Sequence, residues 1–156
     1  MSPRDLDDVD RGILHLLQED ARNNTAADIA DHVGVTANTV RNRIERLEEH
    51  GVLTGYVPQI AYERAGYQLT VSIECSAPVP ERRNYAEQAL AIDNVVAVRE
   101  LMTGQGNLQL TVVADESEEV TEAATAVHDL GLVIEAEELV KKDHSRPFGG
   151  FEGGRD

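Results

Sequence analysis

Residues 25–50, TAADIADHVGVTANTVRNRIERLEEH, constrain the fold more than any other stretch of the chain. Ile29, Ala30 and Val33 form one apolar stripe, Gly34 breaks the helix, and Thr36 stands where the next helix needs a cap. Val40, Ile44 and Leu47 then recur at helical spacing. Two short helices joined by a tight turn make a helix-turn-helix, whose second helix enters the DNA major groove. The face opposite the stripe presents Asn38, Thr39, Asn42 and Arg46, flanked by Arg41 and Arg43. Such side chains read base edges and grip phosphates. A polar helix face is more often merely solvated. Three arginines and two asparagines beside this turn, in an otherwise acidic chain, favour DNA contact.

The charge runs against that reading. The 156 residues include 29 acidic and 14 basic side chains, for a net charge of −15. Such a balance ordinarily argues against nucleic acid. Only Lys141 and Lys142 are lysines, however, and of the six arginines before Leu53 three fall on the second helix. An acidic, lysine-poor surface resembles that of proteins from salt-loving archaea, where carboxylates hold hydrated cations. The alternative is a mesophilic acidic protein with no DNA role. At 41% apolar the chain can bury a core, and no run approaches the roughly 18 apolar residues of a membrane span. The start, MSPRDLDDVD, is polar and acidic, unlike a secretory signal. Cys75 is the single cysteine and can form neither an intramolecular disulfide nor a thiolate zinc site. A soluble cytoplasmic protein is expected.

Around the motif, Leu6, Val9, Ile13, Leu16 and Leu17 predict a first helix over residues 6–20, its first turn carrying Asp7, Asp8 and Asp10. After Gly51, VLTGYVPQI is β-prone, with Pro58 limiting it to an edge, which suits a short wing or linker strand. Residues 1–53 thus form a winged helix-turn-helix unit and 54–66 a connection. The rhythm then changes. Leu69, Val71, Ile73 and Cys75 alternate with Thr70, Ser72 and Glu74 in a strand over 68–76. A helix is expected over 82–92, strands over 95–102 and 107–114, a helix over 117–130 and a last strand over 132–141. The fold class is α+β, and residues 67–143 read as a ferredoxin-like βαββαβ plait. Residues 144–156, with the Gly-rich run RPFGGFEGGRD, are expected to be a flexible tail.

LDDVDRGILHLLQEDARNN, then ADIADHVGVTANTVRNRIERLEEHGVLTGY, then the plait, resembles the Lrp/AsnC (feast/famine) transcription regulators up to about Asp143. Asp7, Asp10, Arg11, Ile13, Leu14, Leu17, Val40, Arg43, Ile44, Leu47, Gly51, Gly55 and Tyr56 stand where that pattern expects them. The resemblance implies that the first domain binds operator DNA. It implies that the second, the regulation-of-amino-acid-metabolism (RAM) domain, forms a homodimer, with tetramers or octamers beyond it. Small effectors, usually amino acids, bind between those domains in many members. The family tends to show Gly-x-x-Asp between the second and third strands. Here the loop is Thr103-Gly104-Gln105-Gly106-Asn107. Thr103, Gly104, Gly106 and Asn107 are the candidate effector residues, although a neutral Asn107 cannot charge-pair an α-ammonium group. Without the resemblance, two glycines in a hairpin loop read as turn chemistry.

The remaining side chains carry weaker signals. Asn24 or Thr25 is expected to cap the second helix. His15, His32, His50, His128 and His144 lack metal-ligand spacing, so no metal and no cofactor is expected. Cys75, on the inward face of its strand, reads as a core residue. Glu135, Glu137, Glu138 and Asp143 read as a solvated, cation-holding edge, and no catalytic pair is expected. Thr36, Asn38, Thr39, Arg41, Asn42, Arg43 and Arg46 are the candidate DNA-binding residues. Of these, Arg43 lies near the core stripe and has Glu45 or an acid on the first helix as an alternative partner. The expected partner is double-stranded operator DNA with half-sites about 10 bp apart. Two other functions are open on the same fold. Sirohaem decarboxylases resemble this family but show a His-Asn-Tyr-like run on the second strand and an Asn-x-Trp-like run on the third. Here those strands read VVAVRELM and NLQLTV, with Asn107 alone fitting. A DNA-indifferent metabolite sensor has only the net charge in its favour.

Overall fold

The structure, a computed structural model, describes residues 5–152. Its chain divides into two compact units, one of residues up to Pro58 together with those from His144, the other Gln59–Asp143. The first unit is trihelical. Helix α1 (Asp8–Asp20) is capped by Asp7, whose carboxylate accepts from the Asp10 backbone N–H at 2.9 Å. The Asp10 side chain accepts from the Asp7 N–H in return at 3.2 Å, a reciprocal pairing that satisfies two otherwise orphaned donors. Thr25 and Asp28 repeat the arrangement at α2 (Ala26–Val33), while Asn24 donates to the Leu16 carbonyl at 2.8 Å. Gly34 ends α2 with φ 73°, a left-handed conformation that costs glycine nothing. Thr36 then caps α3 (Ala37–Glu49). Ile13, Leu14, Leu17, Ile29, Ala30, Val40 and Leu47 close into one buried core. Burial of each of the larger ones contributes about 1.5–3 kcal/mol.

One expectation about this unit fails. Residues 54–61 form neither helix nor strand, so the wing expected after Gly51 is absent. Pro58 has no N–H to donate, and Val57 is 88% exposed, so the segment lacks the half-buried face that β pairing would require. Tyr56 instead donates its hydroxyl to Glu48 at 2.9 Å, tying the segment back to α3. The described part of the tail carries local structure. Residues 149–151 form a 3-10 turn, and Phe151 packs against the trihelical core. Residues 1–4 and 153–156, at the two ends of the expected segments, lie outside the described residues.

The second unit follows the expected order: β1 (Leu69–Ser76), α4 (Arg82–Leu90), β2 (Val95–Glu100), β3 (Leu108–Ala114), α5 (Ser117–Asp129) and β4 (Val133–Leu139). The strands lie in the order β2-β3-β1-β4, every neighbouring pair antiparallel. Val71, Ile73 and Cys75 of β1 face a core shared with Leu108, Leu110 and Val112 of β3 and with Ala86, Ala89, Ala123 and Val127 of the helices. Burial, with Glu74, Glu135 and Glu137 adding repulsion, pushes the Cys75 thiol up to about 11, so it stays an inert core thiol. The α+β class and the ferredoxin-like plait hold.

Candidate nucleic-acid interface

Helix α3 buries Val40 and Leu47 and leaves its other side to solvent. With 3.6 residues per turn, Asn38, Arg41, Asn42, Glu45, Arg46 and Glu49 line that side, and all are exposed. Among the described residues, the side chains of Asn38, Arg41, Asn42 and Arg46 enter no hydrogen bond or ion pair. Thr36 and Thr39 are occupied with each other. The Thr36 hydroxyl accepts from the Thr39 N–H at 3.2 Å and lies 2.9 Å from its hydroxyl. The N-terminal end of α3 is therefore held by its own cap, and the donors beyond it project outward. An open fork of two guanidiniums and two amides at helical spacing suits phosphates and base edges.

Arg43 departs from that set. Its Nη1 lies 2.7 Å from Asp7 Oδ2 and 3.1 Å from Asp10 Oδ1. Asp10 is 1% exposed, so its carboxylate needs a cation, and Arg43 is the one that reaches it. Of the two partners expected for Arg43, the acids at the start of α1 are the ones it meets in the folded chain. Arg43 thereby joins the recognition helix to the cap of α1. The Arg43→Ala variant is expected to lose about 2 kcal/mol in the first unit. That is less than the loss for a fully buried pair because Arg43 is itself 26% exposed. Urea unfolding followed by amide exchange in α1 checks it, and an unchanged midpoint would refute the clamp.

The same cluster sets an acid limit. The Asp10 backbone N–H, and then, against partial desolvation, the Arg43 guanidinium, hold the Asp7 carboxyl below its ordinary 3.8. The folded value is below the unfolded one, so this stabilisation is complete above about pH 4 and fades as pH falls through the folded value. Thr25 similarly lowers Asp28 at the cap of α2. Helical circular dichroism is therefore expected to fall below about pH 4, and by less in Asp7→Asn than in the parent chain.

The candidate effector loop divides in two. Asn107 is 0% exposed and already paired at both ends of its amide. Its Oδ1 accepts from the Ala77 N–H at 2.8 Å, and its Nδ2 donates to the Ala77 carbonyl at 2.8 Å. The side chain acts as one rung of a strand, tying the start of β3 to the end of β1. Gly106 donates its N–H to Ser76 Oγ at 2.7 Å, and Ser76 donates to Glu135 at 2.8 Å. Thr103 donates to the Gln105 carbonyl at 2.9 Å, whereas Gly104 faces open space. Sequence reasoning missed Ser76 and Arg82 here. The latter donates from Nη1 to the Leu101 carbonyl at 2.7 Å and so holds the other end of the loop. Neither carries a local signal, because each is selected by a partner some 20–30 residues away.

Known proteins share this arrangement. Residues 6–48 match the AsnC-type helix-turn-helix domain. An uncharacterised HTH-type transcriptional regulator of Pyrococcus furiosus is 38% identical over 101 residues, 65% of this chain and 67% of that one. The crystal structure of MtbAldR aligns over 97% of this chain and 100% of its own, with a TM-score of 0.74 and 26% identity. A transcriptional regulator of Neisseria meningitidis, solved as a complex with L-Met, aligns over 92% and 96% with a TM-score of 0.73. Its 19% identity speaks for the fold alone. With an exposed, donor-rich recognition helix and a plait behind it in the chain, this protein belongs to the Lrp/AsnC family of DNA-binding, helix-turn-helix transcriptional regulators.

Proposed function

We propose that the chain reads a specific operator through Thr36, Asn38, Thr39, Arg41, Asn42 and Arg46, with Arg43 as a support. The exposed and unengaged state of Asn38, Arg41, Asn42 and Arg46 carries this reading. Asn38 and Asn42 hydrogen-bond base edges, with adenine N6/N7 the best match to an amide, and the two arginines hold phosphates or guanine. Thr36 and Thr39, whose hydroxyls face each other, offer a phosphate contact at the start of the helix. The regulator works as a homodimer or larger assembly on two half-sites about one helical turn apart. It acts in the cytoplasm and not as an enzyme; among the described residues no helix is long and apolar enough to cross a membrane.

Salt screens the repulsion that such an acidic chain meets at DNA. At net −15, self-repulsion and repulsion from DNA weaken the encounter at low ionic strength. We propose a protein adapted to concentrated cations, on composition alone, since the 38% identical relative comes from Pyrococcus. A small-molecule effector, an amino acid or another metabolite, acts by binding two states of the assembly with different affinity. The Neisseria protein, similar in fold, was solved with L-Met, which makes an amino acid the first effector to test. The buried Asn107, paired with Ala77, argues that such a ligand would be held by other groups, Gly104 among them.

Anisotropy titrations in molar KCl on the chain's own upstream DNA, on random DNA and on a pooled genomic library test the reading. Saturable binding to selected fragments is expected, with Asn42→Ala relaxing the base preference at one position by about 1–3 kcal/mol. Equal binding across the whole library would refute it.

A further inference from the structure

The glycines of the C-terminal run, which suggest mobility in sequence, serve a close approach. Gly150 lies beneath the Phe148 ring, where an added Cβ would stand 2.4 Å from two of its carbons. A side chain at that position would push the Phe148 ring aside. The ring meets Phe151 edge to face, with centroids 5.1 Å apart and planes at 85°. The Glu152 N–H returns to the Gly149 carbonyl at 3.1 Å and closes the turn. Phe-Gly-Gly-Phe is thus a built turn with two rings touching, not a spacer.

The turn is seated on α1. Gln18 treats the Phe148 backbone as a strand partner: the Phe148 N–H donates to Gln18 Oε1 at 3.0 Å, and Gln18 Nε2 donates to the Phe148 carbonyl at 3.4 Å. Phe151 lines a groove with Leu14, Leu17, Val52 and Leu53. All of these residues lie in the first unit, which the chain leaves after Pro58 and re-enters at His144.

We infer that residues 147–151 are a docking segment of the DNA-binding unit, an intramolecular clip seated in the groove behind α1. The clip covers Leu14 and Leu17 and steadies the helix whose Asp7 and Asp10 hold Arg43 of the recognition helix. It also gives the DNA-binding unit a second covalent connection to the rest of the chain. Because the segment is tethered, its effective concentration at the groove does not depend on that of the protein.

Amide exchange on the full chain, on Gly150→Val and on a chain ending at Asp143 tests the clip. Gly150→Val drives a side chain into the Phe148 ring without touching α1. Amides over residues 13–20 are expected to exchange about ten-fold faster in both variants, while those of β1 and β3 keep their rates. Parent rates in α1 should not change over a roughly hundred-fold dilution. Unchanged α1 rates in both variants would overturn the clip, as would an equal acceleration in β1 and β3. Loss of parent protection on dilution would overturn the intramolecular assignment in favour of exchange between copies.

Discussion

The Arg41→Ala/Arg46→Ala variant is expected to bind operator DNA at least about 100-fold more weakly than the parent, because each guanidinium supplies charge-assisted hydrogen bonds of about 1.5–3 kcal/mol. Folding should be untouched, since both side chains are exposed and engage no partner among the described residues. The salt dependence should separate the roles further. Removing one guanidinium from a phosphate flattens the slope of log affinity against log salt by about 0.9, so removing two per recognition helix flattens it by about 1.8. Arg43→Ala should behave in the opposite way, lowering stability and leaving the slope nearly as it was. Titrations at several KCl concentrations, with thermal melts alongside, measure both quantities. Parallel salt curves for the parent and the double variant would remove α3 from the interface.

Asn107→Asp is expected to destabilise the second unit by about 3 kcal/mol at neutral pH, although Asp is the residue the family tends to carry there. The replacement keeps an acceptor for the Ala77 N–H but loses the donor to the Ala77 carbonyl, in a position that is 0% exposed. An ionised carboxylate would face that carbonyl across a hydrogen-bond distance. Protonation restores the donor, so the folded pKa of the new carboxyl must rise above its unfolded value of about 3.9. The sign follows: the variant is closest to the parent below about pH 4 and loses stability as pH rises from there. Urea midpoints at pH 4 and pH 7 measure the gap. A gap that is equal at the two pH values, or absent at both, would show that the Asn107–Ala77 pairing does not support the unit.

Period and punctuation made most of the fold readable. Ile29, Ala30, Val40 and Leu47 repeat at helical spacing and are buried, and Val71, Ile73 and Cys75 alternate and are buried. Each pattern needs only local geometry and an apolar side to bury. The cap residues Thr25 and Thr36 were legible for the same reason, since a cap satisfies donors within its own turn. The segment after Gly51 misled because β-prone residues need a partner strand, and composition does not say whether one is near.

The amino-acid order by itself determined the trihelical motif, the βαββαβ sequence of elements and the donor-rich side of α3, all of which follow from neighbours within a few turns. Tertiary structure alone decided the fate of three side chains. Arg43 turns to the start of α1 because a buried Asp10, 33 positions away, needs its charge. Asn107 is drawn into the sheet because Ala77, 30 positions away, pairs with both ends of its amide. Phe151 left the tail for the core because the groove beside Leu14 and Leu17 is completed only when α1 and the segment after α3 come together. A polar or aromatic side chain goes where its desolvation is best compensated, and that partner is set by the folded chain and not by its sequence neighbours.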